Sequence, residues 1–194
     1  MSAQTTTFLT PAEYLEQERR AERKSEYLQG EVFAMAGASR RHGLIVTNLT
    51  AELRQQLKGK PCEVYSSDLR LRVTAAGLYT YPDVMVVCGD VQFADDQKDT
   101  ILNPMLLIEV LSPSTRDYDL GRKFEYYRTL SSLKEYLTVA QDEPHVGHYM
   151  RQPEDSWLLV ESKDLTQTIR FISIPCNVPM AEIYDKVEKT NPNG

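Results

Sequence analysis

The chain lacks the short signatures by which many enzymes declare their chemistry. It has no glycine-rich phosphate loop, no Gly-x-Ser-x-Gly elbow, no zinc-type spacing of Cys and His, and no internal repeat. Those absences remove kinases, serine hydrolases and zinc enzymes from consideration. Cysteine is scarce: Cys62, Cys88 and Cys176 are odd in number and include no close pair. They read as buried free thiols of a reducing compartment, not as a disulfide framework. No apolar run approaches the roughly 18 residues that span a bilayer, and Met1 to Phe8 carry no basic-then-apolar signal. The expectation is a cytoplasmic protein without a membrane partner. Positive charge is also short, with 22 Lys and Arg against 28 Asp and Glu and a net charge of −6. A protein that coats nucleic acid non-specifically draws its affinity from many phosphate contacts by Lys and Arg, so that class is excluded. Any phosphate-binding function of a chain with this composition needs a local basic face.

What is present suffices for one well-cored domain: 194 residues, 41% of them hydrophobic. The expected organisation is a flexible stretch over 1–9, one domain over 10–187 and a disordered tail over 188–194. Thr10-Pro11-Ala12-Glu13 is a capping box with proline at the first helical position, and the helix it opens is expected to run to about Arg23. Its Arg19, Arg20, Arg23 and Lys24 sit among Glu16, Glu18 and Glu22, the pattern of a solvated face. Glu26 to Met35 reads as a hairpin turning at Gln29-Gly30. From about His42 to Lys58, Ile45, Leu49, Leu53 and Leu57 recur at helical spacing before Gly59 and Pro61.

Asp68 to Val73 alternates, which puts Asp68, Arg70 and Arg72 on one strand face, read as the wet side of a sheet; Gly77 would turn that strand into a hairpin with Tyr81 to Val87. The acidic loop from Gly89 to Thr100 is expected to be flexible and to bind no metal. Ile101 to Leu111 is a buried strand broken at Asn103-Pro104, and a helix follows from about Asp117 to Arg128. Strands near 135–139, 146–150, 157–160 and 168–171 and a helix around Met180 to Val187 complete the chain. His145 and His148, three apart, read as surface residues.

The chemistry concentrates between Tyr81 and Lys123. Tyr81-Pro82-Asp83-Val84-Met85-Val86-Val87 is a strand with an acid near its start, and Met105-Leu106-Leu107-Ile108-Glu109-Val110-Leu111 is one with an acid near its end. An ionised carboxylate in a dry sheet costs several kcal/mol unless it is paired. Each acid alone fits an exposed residue or a salt-bridge partner. Together they fit a carboxylate pair neutralised by a lysine or by a hard divalent ion such as magnesium. Lys123 reads either as the surface partner of Asp119, four residues before it, or as the cation for Glu109.

Pro82-Asp83, Glu109 within Ile108-Glu109-Val110-Leu111-Ser112-Pro113-Ser114-Thr115, and Asp119 and Lys123 ahead of Tyr126 and Tyr127 resemble the Uma2 family of "putative restriction endonucleases", within the PD-(D/E)xK nuclease superfamily. The likeness runs from about Thr10 to about Tyr184. The Pro-Asp pair is a weak signal, whereas the Glu-Val-Leu-Ser-Pro-Ser-Thr run with its following lysine is specific. Where the superfamily places lysine two residues after the acid, this chain has Leu111, and Lys123 on the next helix is the replacement. The resemblance implies an α/β fold with a restriction-endonuclease-like core: a central mixed β-sheet flanked by helices, with an antiparallel C-terminal extension. It implies hydrolysis of phosphodiester bonds in DNA with Mg2+, or Mn2+, held by Asp83, Glu109 and the carbonyl of Val110. Lys123 would orient the attacking water, with His42 and Glu26 as helpers, in a homodimer able to cut duplex. The competing expectation is a nuclease-fold binding or scaffolding module without catalysis.

Overall fold

A computed structural model of the protein describes residues 8–188. The expected flexible start and disordered tail fall mostly on residues 1–7 and 189–194, outside the described residues. The capping box is formed as the sequence specifies: Thr10 N donates to Glu13 Oε2 at 2.8 Å, and Glu13 N donates to Thr10 Oγ1 at 3.3 Å. Helix α1 is shorter than expected, Pro11–Glu18. It stops because Glu18 turns inward, accepting from Ser25 N at 2.8 Å and from the Tyr81 hydroxyl at 2.9 Å. Arg19, just beyond, pairs with Asp95 and Asp99 at 2.6 and 2.7 Å. The acidic loop expected to be flexible is thereby tied down.

Strands β1 (Ser25–Leu28) and β2 (Glu31–Ala34) form the expected hairpin, with Gln29 at φ 50° and Gly30 at φ 105°. Positive φ at both central residues matches the twist of the paired strands, and glycine takes the more extreme value without a clashing Cβ. Helix α2 (Arg40–Gln56) buries Ile45, Leu49 and Leu53. Next come β3 (Cys62–Ser66), β4 (Arg70–Val73), β5 (Leu78–Thr80), β6 (Val84–Cys88), β7 (Thr100–Ile101) and β8 (Leu106–Leu111). Short helical turns follow in one run: α3 (Arg116–Tyr118), a π-helical turn at Asp119–Lys123 and α4 (Phe124–Tyr127). The chain continues through β9 (Glu135–Ala140), β10 (Val146–Arg151), β11 (Trp157–Ser162), β12 (Thr168–Arg170) and β13 (Asn177–Pro179) to α5 (Met180–Ile183).

The strands make a six-stranded sheet ordered β11-β10-β9-β8-β6-β3, a five-stranded sheet ordered β2-β1-β5-β4-β7, and the small pair β12-β13. In the larger sheet only β8 and β9 run parallel, joined by the α3–α4 crossover, and β10 with β11 is the antiparallel extension. Every residue of β8 and the first four of β6 are buried, which is why both read as unbroken apolar runs. Alternation sorts their side chains. Val84, Val86, Leu106, Ile108 and Val110 pack under α2 and the C-terminal segment. Met85, Val87 and Leu107 pack on the opposite side, with Leu71 and Leu78 of the smaller sheet and Tyr127 of α4.

The expected hairpin from Asp68 to Val87 is corrected. Gly77 turns β4 into β5, and the chain then leaves the smaller sheet at Tyr81-Pro82-Asp83 and enters the larger one at Val84. Pro82 has no N–H to give to a ladder, so the break falls there. Arg70 is buried, not on a wet face; it pairs with Asp99 and donates to the Tyr81 hydroxyl at 3.0 Å, while Arg72 lies 5.4 Å from the Tyr79 ring. Cys62 and Cys88 are joined by a disulfide, correcting their reading as free thiols; they face each other across the β3–β6 ladder. Their separation of 26 residues gives no hint of that register. Cys176 is free and buried as expected. His148 is buried against Glu135 at 2.7 Å, not exposed, because the Phe171–Ser173 segment covers its face of the sheet. Among the described residues no helix is long and apolar enough to cross a membrane.

Candidate active site

The register that pairs Val84 with Ile108 sets Asp83 one step past the end of the β6 ladder, beside Glu109 and Val110. There the Asp83 carboxylate takes over the role of a strand: its Oδ2 accepts from Val110 N at 2.7 Å. His42, in the first turn of α2, points Nε2 at the same oxygen from 3.1 Å. The Ser112-Pro113-Ser114-Thr115 turn folds back on itself through Ser112 Oγ and Thr115 Oγ1, 2.9 Å apart, and so starts the crossover over the end of β8. This brings Lys123 to Glu109 at 3.0 Å.

Lys123 lies on the π turn, a one-residue widening of a helix often found at functional sites. Its ammonium also reaches Glu26 at 3.1 Å and Asp119 at 3.4 Å; the pairing with Asp119 is formed, but both residues are buried, which corrects the reading of Lys123 as a surface residue. Glu26 accepts in addition from Thr80 Oγ1, and the Tyr127 hydroxyl donates to Glu109 Oε1 at 2.6 Å. The expected residues Asp83, Glu109, Lys123, His42 and Glu26, with the Val110 backbone, therefore meet in one place. Sequence reasoning named Tyr127 and Asp119 in the family motif without giving either a role in the site, and it passed over Thr80.

The site carries more acid than base: Glu26, Asp83, Glu109 and Asp119 face one lysine and one histidine. Burial would discharge Lys123, but the anions of Glu109 and Glu26 and the charge of Asp119 hold it protonated, well above the ordinary lysine value. Burial raises Glu109; Lys123 and Tyr127 pull it back, and Asp119 and Asp83 push it up again, leaving it raised. Asp119 is raised for the same reasons, burial first. Because carboxylates outnumber cations, a carboxylate gives up its charge before the ammonium does. Burial works to lower His42, yet its bond to Asp83 and that anion's charge leave it raised.

Among the described residues no three or more His, Cys, Asp or Glu side chains form a ready metal cage. A magnesium ion needs less: one or two carboxylates, with water completing its shell. The protein's hydrogen bonds fall on Asp83 Oδ2 and Glu109 Oε1, which leaves Asp83 Oδ1 and Glu109 Oε2 as oxygen donors. An all-oxygen donor set with surplus negative charge suits Mg2+ or Mn2+.

A family model, Uma2, described as "Putative restriction endonuclease", matches residues 11–178. The chain belongs to the Uma2 family. Among its relatives, the Uma2 chain is 39% identical over 171 residues to "Uncharacterized protein sll1609" of Synechocystis sp. (strain ATCC 27184 / PCC 6803 / Kazusa), covering 88% of this chain and 97% of that one. To "Uncharacterized protein slr1290" of the same organism it is 38% identical over 154 residues, 78% of this chain and 79% of that one. Its fold matches a crystal structure described as "a putative nuclease belonging to DUF820" from Anabaena variabilis ATCC 29413. That match has a TM-score of 0.73 at 16% identity and covers 93% and 99% of the two chains. The mixed α/β fold of this Uma2 protein is thus one shared with a protein described as a nuclease.

Proposed function

We propose that this Uma2 protein is a metal-dependent endonuclease that hydrolyses phosphodiester bonds in DNA. The observation that carries the reading is the buried Lys123 ammonium, 3.0 Å from Glu109 at the strand end where Asp83 arrives from a second strand. Asp83, Glu109 and the Val110 carbonyl would hold Mg2+ or Mn2+. Such an ion, when bound, polarises the phosphate and lowers the pKa of a coordinated water.

The chain's own residues have separate tasks. His42 and Val110 N fix the Asp83 carboxylate through Oδ2 and so orient Oδ1, as partners behind a ligand commonly do. Glu26 and Asp119 position the Lys123 ammonium, and Tyr127 holds Glu109. Lys123 is then placed to orient the attacking water and to donate to phosphoryl oxygens as their charge grows. Were both strands of a duplex cut together, two such sites would be needed, as a homodimer would supply.

Cleavage of a supercoiled plasmid and of labelled oligonucleotides, with magnesium or manganese, tests the reading. Wild type is expected to cut; Glu109→Gln and Lys123→Ala are expected to lose at least a hundredfold in rate while remaining folded by circular dichroism. A non-catalytic binding module is the competing reading, favoured by the internal pairing of the acids with Lys123 and His42. Equal, metal-independent traces of cutting in all three proteins would establish it.

A further inference from the structure

We infer that the substrate is taken with unpaired bases, and that Phe33 is the platform on which a base next to the scissile phosphate stacks; this inference rests on the nuclease reading. In the β1–β2 hairpin Phe33 is the direct partner of Glu26. Cross-strand partners project to the same face with Cβ atoms about 5 Å apart. Glu26 is the residue that binds Lys123 at 3.1 Å, so Phe33 stands on the site's side of the smaller sheet, one strand further out. β2 is an edge strand, exposed along its length, and Phe33 is 49% exposed there. Tyr118 lies beside the ammonium, its ring 5.8 Å from Lys123 Nζ and partly exposed. One aromatic ring thus lies against the site's lysine, and a second, Phe33, stands beside the glutamate that holds it.

Charge points the same way. Four carboxylates converge on the site, and three arginines of the smaller sheet and its helix are committed to other partners. Arg70 is buried on Asp99, Arg72 stacks on Tyr79 and Arg19 is held by Asp95 and Asp99. A duplex offers mostly phosphates to such a surface, whereas an unpaired strand also offers base faces. Stacking on aromatic side chains binds single strands with little sequence preference, and alanine substitution there typically weakens binding by about 5- to 150-fold per base.

The test measures binding of fluorescent 20-mer DNA, single-stranded and duplex, by anisotropy with magnesium withheld. Wild type, Phe33→Ala, Phe33→Leu and Phe33→Trp are compared, each checked for folding, and magnesium-dependent cleavage of both substrates follows. Expected are tighter binding of the single strand, a roughly tenfold loss with alanine and with leucine, retention with tryptophan, and duplex binding that does not respond. The leucine variant separates stacking from mere apolar cover. Duplex binding as tight as single-strand binding, or single-strand binding indifferent to Phe33→Ala, would overturn the inference, even with cleavage intact. Phe33-dependent binding of single strands without cleavage by any variant would leave the platform standing and sink the nuclease reading instead.

Discussion

Two buried carboxylates sit on opposite faces of the six-stranded sheet and behave in opposite ways. Glu135, on the face under α2, is fully enclosed, yet it accepts from His148 Nε2 at 2.7 Å, Ile172 N at 3.0 Å, Ser173 N at 2.8 Å and the Ser173 hydroxyl. Burial pushes its carboxyl up, but those donors outweigh burial and leave it lowered. Glu109, on the other face, shares one lysine with Glu26 and Asp119, and its carboxyl is left raised. A carboxylate enclosed by donors is a joint of the fold. One left with surplus negative charge beside Asp83 is where the proposed divalent cation would lower the energy.

The largest effect should come from destroying the satisfied joint. Glu135→Ala leaves His148 and two backbone N–H groups buried without their acceptor, and the loss should be about 3 to 5 kcal/mol by urea denaturation. On the other face, Glu109→Gln removes surplus charge at constant shape; its stability should stay within about 1 kcal/mol of wild type.

Next in size is Lys123→Met, which leaves Glu26, Glu109 and Asp119 without their common cation. It should cost about 3 kcal/mol, and millimolar magnesium should recover part of it, since a ligand that binds only the native state stabilises it by mass action. No recovery with magnesium would separate the acid surplus from cation binding.

The legible and illegible parts of the chain divide along the same faces. Asp83 and Glu109 were visible because an acid inside an apolar run has to be explained. Lys123 was one of two open readings until the family resemblance favoured it, and His42 and Glu26 were assigned to the site through that resemblance, since neither breaks a local pattern. Tyr127 and Thr80 reach the site from elements whose periodicity already accounts for them as core and strand residues, so nothing local marks them. The Glu135–His148 pair escaped because the segment that encloses it, Phe171–Ser173, arrives from much later in the chain. Arg70 was misassigned for a similar reason: alternation shows that a polar face exists, but not that Tyr81 and Asp99 cover it.

A smaller effect concerns position behind the acids. His42→Ala should weaken magnesium binding about tenfold with little change in fold, because it removes a partner of the Asp83 carboxylate and not a candidate ligand. Unchanged affinity would make His42 a surface neighbour only.

The finest discrimination is in the pH dependence of stability. Glu109 is raised in the folded state, so its stabilising contribution is full below the ordinary value of 4.5 and is lost as pH climbs through the raised value. Glu135 is lowered, so its contribution is present above 4.5 and is lost as pH falls through the lowered value. Urea denaturation across pH should therefore show Glu109→Gln flattening the decline on the alkaline side and Glu135→Gln flattening the decline on the acid side. Slopes of the same sign would erase the contrast between the two faces.

The central claim, that Asp83 and Glu109 form a divalent-cation site, is tested most directly by titrating magnesium and manganese into wild type and Asp83→Ala in a calorimeter. The account predicts saturable binding by wild type at or below millimolar concentration and none by the variant. No binding by wild type at millimolar ion, or equal binding by both proteins, would contradict it.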